Sequence, residues 1–471
     1  MSVPLCQIAM SVTDLPRTHA WYTGAFGYVP SSGTNSFKGY LAEKIQGITG
    51  ARSTCWWLSD QQEFFQLELF QFHRPETRPM PTDWRPCDIG YSALGLLVRN
   101  FDETLERLRV LGTEPLTAPQ GEPGERRVCV RDPEGVLLEL FEKDPLAHRG
   151  IPVRPEIPVL TLSVTVSVPD LAQARAYFCD ALGLEAVDLD LHGPEHEALW
   201  GLAGATAERI LLRAGDSLVE LVEYRDPVGK PPAADYRVSD QGLLNIALGF
   251  RSTKLFRAVY ERAIQAGNRA NWRPFSMGAW NVVYVNDPQG FSVELLQVQP
   301  WYDGRMGFSP TQSSPNLAVN GLRNLTVETP IDASPGVVWA SLADHESMPG
   351  WWPLKTVSLI VEGAPDRNGV GAVRQMRGPG FTLEEEVTDW QPNFGYNYSL
   401  RKGAPLKDHR GSVRILPRGE GSLVQWRIQF RPTIPGTGAL NQWLLRKLIG
   451  YVMKKLKRQL ELPSPDSPSF T

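Results

Sequence analysis

The sequence predicts an α+β chain of three domains: two tandem copies of a βαβββ doublet, then an antiparallel sheet gripped by a long C-terminal helix. A long repeat predicts the first part. IAMSVTDLPRTHAWYTGAFGYVP at 8–30 parallels VTVSVPDLAQARAYFCDALGLEAV at 164–187, and DPEGVLLELFE at 132–142 parallels DPQGFSVELLQ at 287–297. Asp14 and Asp170 lie 156 residues apart and Asp132 and Asp287 lie 155 apart. Two motifs keeping one offset mark a duplicated domain. A change of texture near residue 320 predicts the second part, because strands then follow one another with no helical period until about 437.

Each copy is itself a doublet. The first unit opens with an alternating strand, then an aspartate placed to cap a helix (Asp14, Asp170), an amphipathic stretch and a glycine stop. GLLVRNFDETLERLRVLG at 95–112 and IALGFRSTKLFRAVYERAIQAG at 246–267 repeat the strand, turn and helix. Three short strands follow each helix, the last carrying one glutamate among apolar residues: Glu68 and Glu139 in copy one, Glu220 and Glu294 in copy two. Proline-rich segments at 73–86 and 225–236 separate the halves, and DPLAHRGIPVRPEIP at 144–158 joins the copies. The domains are therefore expected at 1–145, 158–302 and 318–462. In the third, LTVETPIDAS leads into a helix, four or five strands follow WWPLKT, and a long helix closes the domain. The tail LPSPDSPSFT is expected to fray.

Bulk properties bound the function. In 471 residues, 42% are apolar and 21% charged, as in ordinary globular proteins. A net charge of −4 gives no footprint for nucleic acid. Five scattered cysteines (Cys6, Cys55, Cys87, Cys129, Cys179) without a CxxC fit reduced thiols in the cytoplasm. Neither a signal peptide nor an apolar run approaching ~18 residues is expected, so the protein is expected to be neither secreted nor membrane-bound.

The repeated units, with VxD before the helix and DPxGxxxEL at the end, resemble the vicinal oxygen chelate (glyoxalase/bleomycin-resistance/extradiol dioxygenase) superfamily over roughly 3–145 and 158–300. The third part, with DHESMPGWWP, GVGAVRQMRGPG, LEEEVTDWQP and YNYSLRKGAP, resembles the START-related polyketide cyclase/dehydrase (SRPBCC) folds. The first resemblance implies a divalent metal held by the first strand of each unit, often through His, and by the glutamate of the last strand. Carried onto this chain, those positions are Gln7, Glu68, Ala93 and Glu139 in copy one, and Ser163, Glu220, Asn245 and Glu294 in copy two. No histidine stands at a first-strand position. An all-oxygen set of Gln7, Glu68 and Glu139 suits a hard ion. Copy one is thus the place for a divalent metal (Mn, Mg, Fe, Ni or Zn), although loss of the metal, and no cofactor at all, is the expectation. Three of the glutamates (Glu139, Glu220, Glu294) have apolar neighbours at i±2, so each needs a partner: an opposing amide, or a ligand.

Alternation in the third domain points into a cavity. Glu385 shares a face with Phe381, Leu383 and Val387, His409 with Val413 and Ile415, Tyr396 with Tyr398, and Trp426 with Val424 and Ile428. A carboxylate and an imidazole among aromatics can act as general acid and base, so Glu385, His409 and Tyr398 are the catalytic candidates. Trp351, Trp352, Tyr396, Trp426, Glu220 and Glu294 are ligand-binding candidates, with the Trp351–Trp352 pair expected over the cavity mouth. Arg374 and Arg377 are expected at the surface or orienting an anion, and the basic face of the last helix in solvent.

Three functions remain open at this stage. The first is cofactor-free cyclisation, dehydration or isomerisation of a hydrophobic, aromatic or polyketide-like substrate, an enzyme of cyclase, lyase or isomerase type. The second is non-catalytic sequestration of such a molecule. The third is a metal-dependent lyase, isomerase or dioxygenase. The tandem units are expected to complete one another either within one chain or in a homodimer.

Overall fold

The computed structural model describes residues 3–146, 154–311 and 313–461, and the C-terminal tail and His148 lie outside the described residues. The chain divides into two compact units, 1–104 with 113–315, and 105–112 with 316–471.

The first unit holds two sheets, and each is assembled from both sequence copies. In the first sheet the strands run Arg269–Ala270, Trp280–Asn286, Ser292–Val298, Gly242–Phe250, Leu5–Ser11, Gln66–Arg74, Arg52–Ser59, Val29–Thr34. In the second they run Arg127–Arg131, Leu137–Phe141, Gly90–Val98, Val159–Ser167, Ser217–Asp226, Thr206–Ala214, Glu185–Ala186. The first half of copy one thus joins the second half of copy two, through the antiparallel pairing Ile8↔Ile246. The remaining halves meet through Leu94↔Val164. The copies complete one another within one chain.

Local signals position these strands. The Asp14 side chain accepts from the Arg17 amide at 3.1 Å and Asp170 from the Gln173 amide at 2.9 Å, capping the two helices. Gly27 ends the first at φ 76°, a left-handed turn that favours glycine. The second helix begins as α over Leu171–Arg175 and continues as a π-helical turn over Ala176–Ala181. At the DPxG turns, Asp132 accepts from the amides of Glu134 (2.8 Å) and Val136 (2.9 Å), and Asp287 from that of Phe291 (2.7 Å). These bonds turn the chain directly into the glutamate-bearing strands.

The second unit is one seven-stranded antiparallel sheet, Arg323–Ile331, Gly421–Pro432, Leu406–Arg418, Gly395–Lys402, Phe381–Gln391, Val373–Gly378, Thr356–Val361. Six strands follow WWPLKT rather than four or five, because the 356–378 stretch forms a hairpin of its own. The helix Gly438–Glu461 covers the sheet through Ile449, Val452, Met453 and Leu456, which pack with Trp351, Tyr396 and Trp426. Among the described residues no helix is long and apolar enough to cross a membrane.

Candidate functional site

The ladders bring the glutamates together in pairs that cross the sequence copies. In the first sheet, Ala9 lies between Glu68 and Asn245, and Ala247 between Gln7 and Glu294. The second sheet repeats this arrangement, with Thr165 between Glu220 and Ala93, and Gly95 between Ser163 and Glu139. The expected set Gln7–Glu68–Glu139 is therefore not brought together. Glu139 belongs to the other sheet, because its strand pairs in parallel with Gly90–Val98, and Glu294 takes its place beside Gln7.

The two pairs are neutralised differently. In the first sheet Glu68 accepts from Trp57 Nε1 at 2.8 Å and from Cys55 Sγ at 3.4 Å, and Glu294 accepts from the Tyr284 hydroxyl. Among the described residues, neither glutamate has a cationic side chain in an ion pair. Burial pushes the Glu68 carboxyl up to about 7, and burial together with the charge of Glu68 pushes Glu294 up to about 8. The same surroundings raise the thiols of Cys6 and Cys55, chiefly through burial.

In the second sheet a residue absent from the sequence expectations lies between the carboxylates. Both nitrogens of His192, a buried ring, meet a glutamate: Nδ1 reaches Glu220 at 2.7 Å and Nε2 reaches Glu139 at 2.8 Å. Trp200 Nε1 donates to Glu139 at 2.7 Å, and the Arg127 and Arg209 guanidinium groups stand 3.5 Å and 3.8 Å from Glu139 and Glu220. Burial alone would depress His192, but the two carboxylates outweigh it and hold the ring up to about 9. Burial would raise Glu139, but the charge and hydrogen bond of His192, the charge of Arg127 and the Trp200 hydrogen bond together outweigh it and leave Glu139 below the usual carboxylate range.

The donor sets give different answers for a metal. The second sheet does not fit one, because His192 already lies between the carboxylates. In the first sheet the oxygens of Gln7, Glu68 and Glu294 are the type a hard cation takes, and Gln7 Oε1 is buried with no hydrogen-bond partner. Among the described residues, no group of three His, Cys, Asp or Glu side chains is placed to hold a metal, so any ion in the first sheet would depend on amide oxygen. The first unit also holds a partly open cavity of about 550 Å³, lined by Met80, Trp84, Tyr91, Tyr236, Leu243 and Phe291. Neither glutamate pair lines it.

In the second unit, Glu385, Tyr396, Tyr398, His409 and Trp426 are all buried. Arg374, expected at the surface, is 1% exposed and donates through Nε (3.1 Å) and Nη2 (2.8 Å) to one oxygen of Glu385. Its strand pairs Arg374 with Glu385 directly across the ladder, which turns both inward. The guanidinium also lies over the Tyr398 ring, 4.9 Å from its centre. Trp426 Nε1 donates to the Tyr398 hydroxyl at 2.8 Å, and among the described residues that hydroxyl's own hydrogen has no acceptor. His409 packs on Tyr398 with centroids 5.7 Å apart, and burial lowers its pKa, which favours the neutral ring. Trp351 is buried in the core, whereas Trp352 is half-buried against Trp426. His345, which the sequence reading left aside, is fully buried against Trp390 and Tyr396. Burial and the charge of Arg374 hold it well below the usual histidine range.

A protein-family comparison matches residues 5–140 and 161–295 to the Glyoxalase/Bleomycin resistance protein/Dioxygenase superfamily. The chain belongs to that superfamily. Residues 323–461 match a second family, described as polyketide cyclase/dehydrase and lipid transport, so the chain joins two glyoxalase-type segments to an SRPBCC domain. No curated protein matches the sequence. Among solved structures, glyoxalase I from Zea mays is 18% identical, with 63% of this chain and 92% of that chain covered, at a TM-score of 0.43. A putative dioxygenase from Bacillus subtilis is 13% identical, covering 66% and 91%, also at 0.43. A Thermus thermophilus protein is 20% identical over 29% of this chain and 96% of its own, at 0.26. Membership of the glyoxalase superfamily and the SRPBCC family supports small-molecule binding, with the reaction left to the residues.

Proposed function

We propose that the chain binds a hydrophobic aromatic ketone or polyketide-like molecule inside the second unit and moves a proton on it without a cofactor. The observation that carries this reading is a set of buried polar atoms with no hydrogen-bond partner among the described residues: both ring nitrogens of His345, Nδ1 of His409, and Nε1 of Trp351, Trp352 and Trp390. Buried polar groups are ordinarily satisfied, and a run of exceptions along one connected aromatic surface is what a polar ligand would complete. A fully buried guanidinium beside them supplies fixed positive charge.

In this reading His409 takes the proton from the carbon next to a carbonyl. The electron pair of the broken C–H bond moves into an enolate, whose oxygen is stabilised by Arg374 and by the free hydrogen of Tyr398. Returning the proton to another carbon completes an isomerisation. Loss of a β-hydroxyl with that proton, as water, completes a dehydration. Glu385 is a positioning residue here, since its carboxylate is held by Arg374.

The test uses 2-tetralone, an aromatic ketone, in deuterated buffer. Exchange of its α-hydrogens should be accelerated by the full chain and lost in His409→Gln, while tryptophan quenching still reports binding. Binding with equal exchange in both proteins would replace this reading with sequestration, and absence of binding would refute both. A metal-dependent reading rests on Gln7, Glu68 and Glu294 and is favoured only by the unpartnered Gln7 oxygen.

A further inference from the structure

The second sheet keeps both glutamates at the ladder positions where the superfamily resemblance implies ligands, yet these residues answer to a side chain of the chain itself. We infer that His192 is a resident cation of the second sheet, an imidazolium in place of a metal ion, and that Glu139 and Glu220 now serve to anchor the segment 188–200.

Geometry carries the inference. A guanidinium group stands beside each carboxyl, Arg127 at 3.5 Å from Glu139 and Arg209 at 3.8 Å from Glu220, and a group in that setting is an acceptor, so a ring held between the two donates from both nitrogens. The separation of the carboxylates argues in the same direction. Two hydrogen bonds of 2.7 Å and 2.8 Å plus the width of the ring set the oxygens far wider than two metal–oxygen bonds of ~2.1 Å could bridge. The two oxygens that meet the ring, Oε2 of Glu139 and Oε2 of Glu220, are spaced for a ring and too wide for a single ion.

The segment bearing His192 is fixed by the same glutamates. Trp200 donates to Glu139, and Glu197 is held by the Tyr224 hydroxyl at 3.1 Å and by Arg209. Gly95, opposite both Ser163 and Glu139, leaves no room for a larger side chain, since a Cβ there would stand 2.2 Å from Ser163 Oγ. The first sheet, where no described histidine lies between the carboxylates, is the control within the same molecule.

Cavity complementation tests this in the full chain. His192→Ala should lower the Tm of the first unit by roughly 5–10 °C, since it leaves two buried carboxylates without their shared partner. Imidazole, protonated in the cavity, should restore most of that loss, whereas pyrazole, of the same shape but too weakly basic to protonate, should not. Equal rescue by pyrazole would mean that shape alone matters and would overturn the proposal. Restoration by Mn²⁺, abolished by adding Glu139→Gln, would also overturn it, by showing that the pair still takes a metal. If His192→Ala does not fold, the yield on refolding with imidazole against pyrazole reads the same question. His192→Gln, a neutral replacement, gives an independent check: wild-type stability in that variant would overturn the proposal.

Discussion

Glu68→Gln should make the first sheet more stable at alkaline pH and flatten its dependence on pH. Glu68 is 3% exposed and its carboxyl rises from 4.5 to about 7 because burial penalises the charge. The folded state therefore holds a proton that the unfolded chain releases. Stability from this proton is fully present below about 4.5 and is lost as pH rises through about 7. Above both values the loss amounts to roughly 3 kcal/mol. Glutamine keeps the shape, and its oxygen can still accept from Trp57 Nε1, now 2.8 Å from Glu68. Its own charge never develops, so that term vanishes, and the Glu294 carboxyl, raised partly by Glu68, should fall as well. Urea unfolding read by amide exchange on peptides covering 5–11 and 66–74 isolates this sheet from the second unit. Wild type and variant should nearly coincide at pH 5 and diverge by pH 8.5, with the variant more stable. Parallel curves across that range would refute the claim that Glu68 is buried without a compensating cation.

Two further outcomes concern the second unit. Arg374→Met leaves Glu385 buried and unpaired and should cost about 3–5 kcal/mol, whereas Arg374→Met with Glu385→Leu should recover most of it; equal Tm loss in both variants would count against the pair. Gly411→Ala places a Cβ 2.0 Å from Cζ of Tyr398, so the ring must move and release Trp426. The cost should be about 1–3 kcal/mol with a shifted tryptophan spectrum, and an unchanged Tm and spectrum would refute that packing.

Much of the architecture was legible because it is local or repeated. Asp14 and Asp170 cap helices as their place before an amphipathic stretch implies, and Gly27 ends the first where the glycine stop stands. The alternation that turned Tyr396, Tyr398, His409 and Trp426 to one face of the third domain corresponds to buried positions. Illegible was the exchange of halves between sheets. Pairing Ile8 with Ile246 is a choice between partners of equal local pattern, which a strand's own sequence does not encode. The Arg374–Glu385 pair left a usable signal, because a hairpin turn through GPG at 378–380 sets these residues opposite each other. His192 left a fainter one: two histidines and a tryptophan in HGPEHEALW, a segment with no period to say which way they face. The histidine that reaches these glutamates comes from a connecting segment and not from a first strand, so the strand pattern carries no trace of it.

The two sheets thus solve one electrostatic problem twice. Each buries two carboxylates that would cost several kcal/mol if left ionised and alone. The second sheet compensates its pair with His192 and the guanidinium groups of Arg127 and Arg209, whereas the first relies on protons, as the raised Glu68 and Glu294 indicate. Any cation entering the first sheet must displace those protons, because the same oxygens cannot carry both. Calorimetric titration of Mn²⁺ at pH 6, repeated in buffers of different ionisation enthalpy, should therefore show between one and two protons released per ion bound, falling as pH passes about 8. Uptake that Glu68→Gln abolishes, but that releases no protons, would show that the carboxylates were ionised beforehand, and the division of labour between the sheets would fail with it.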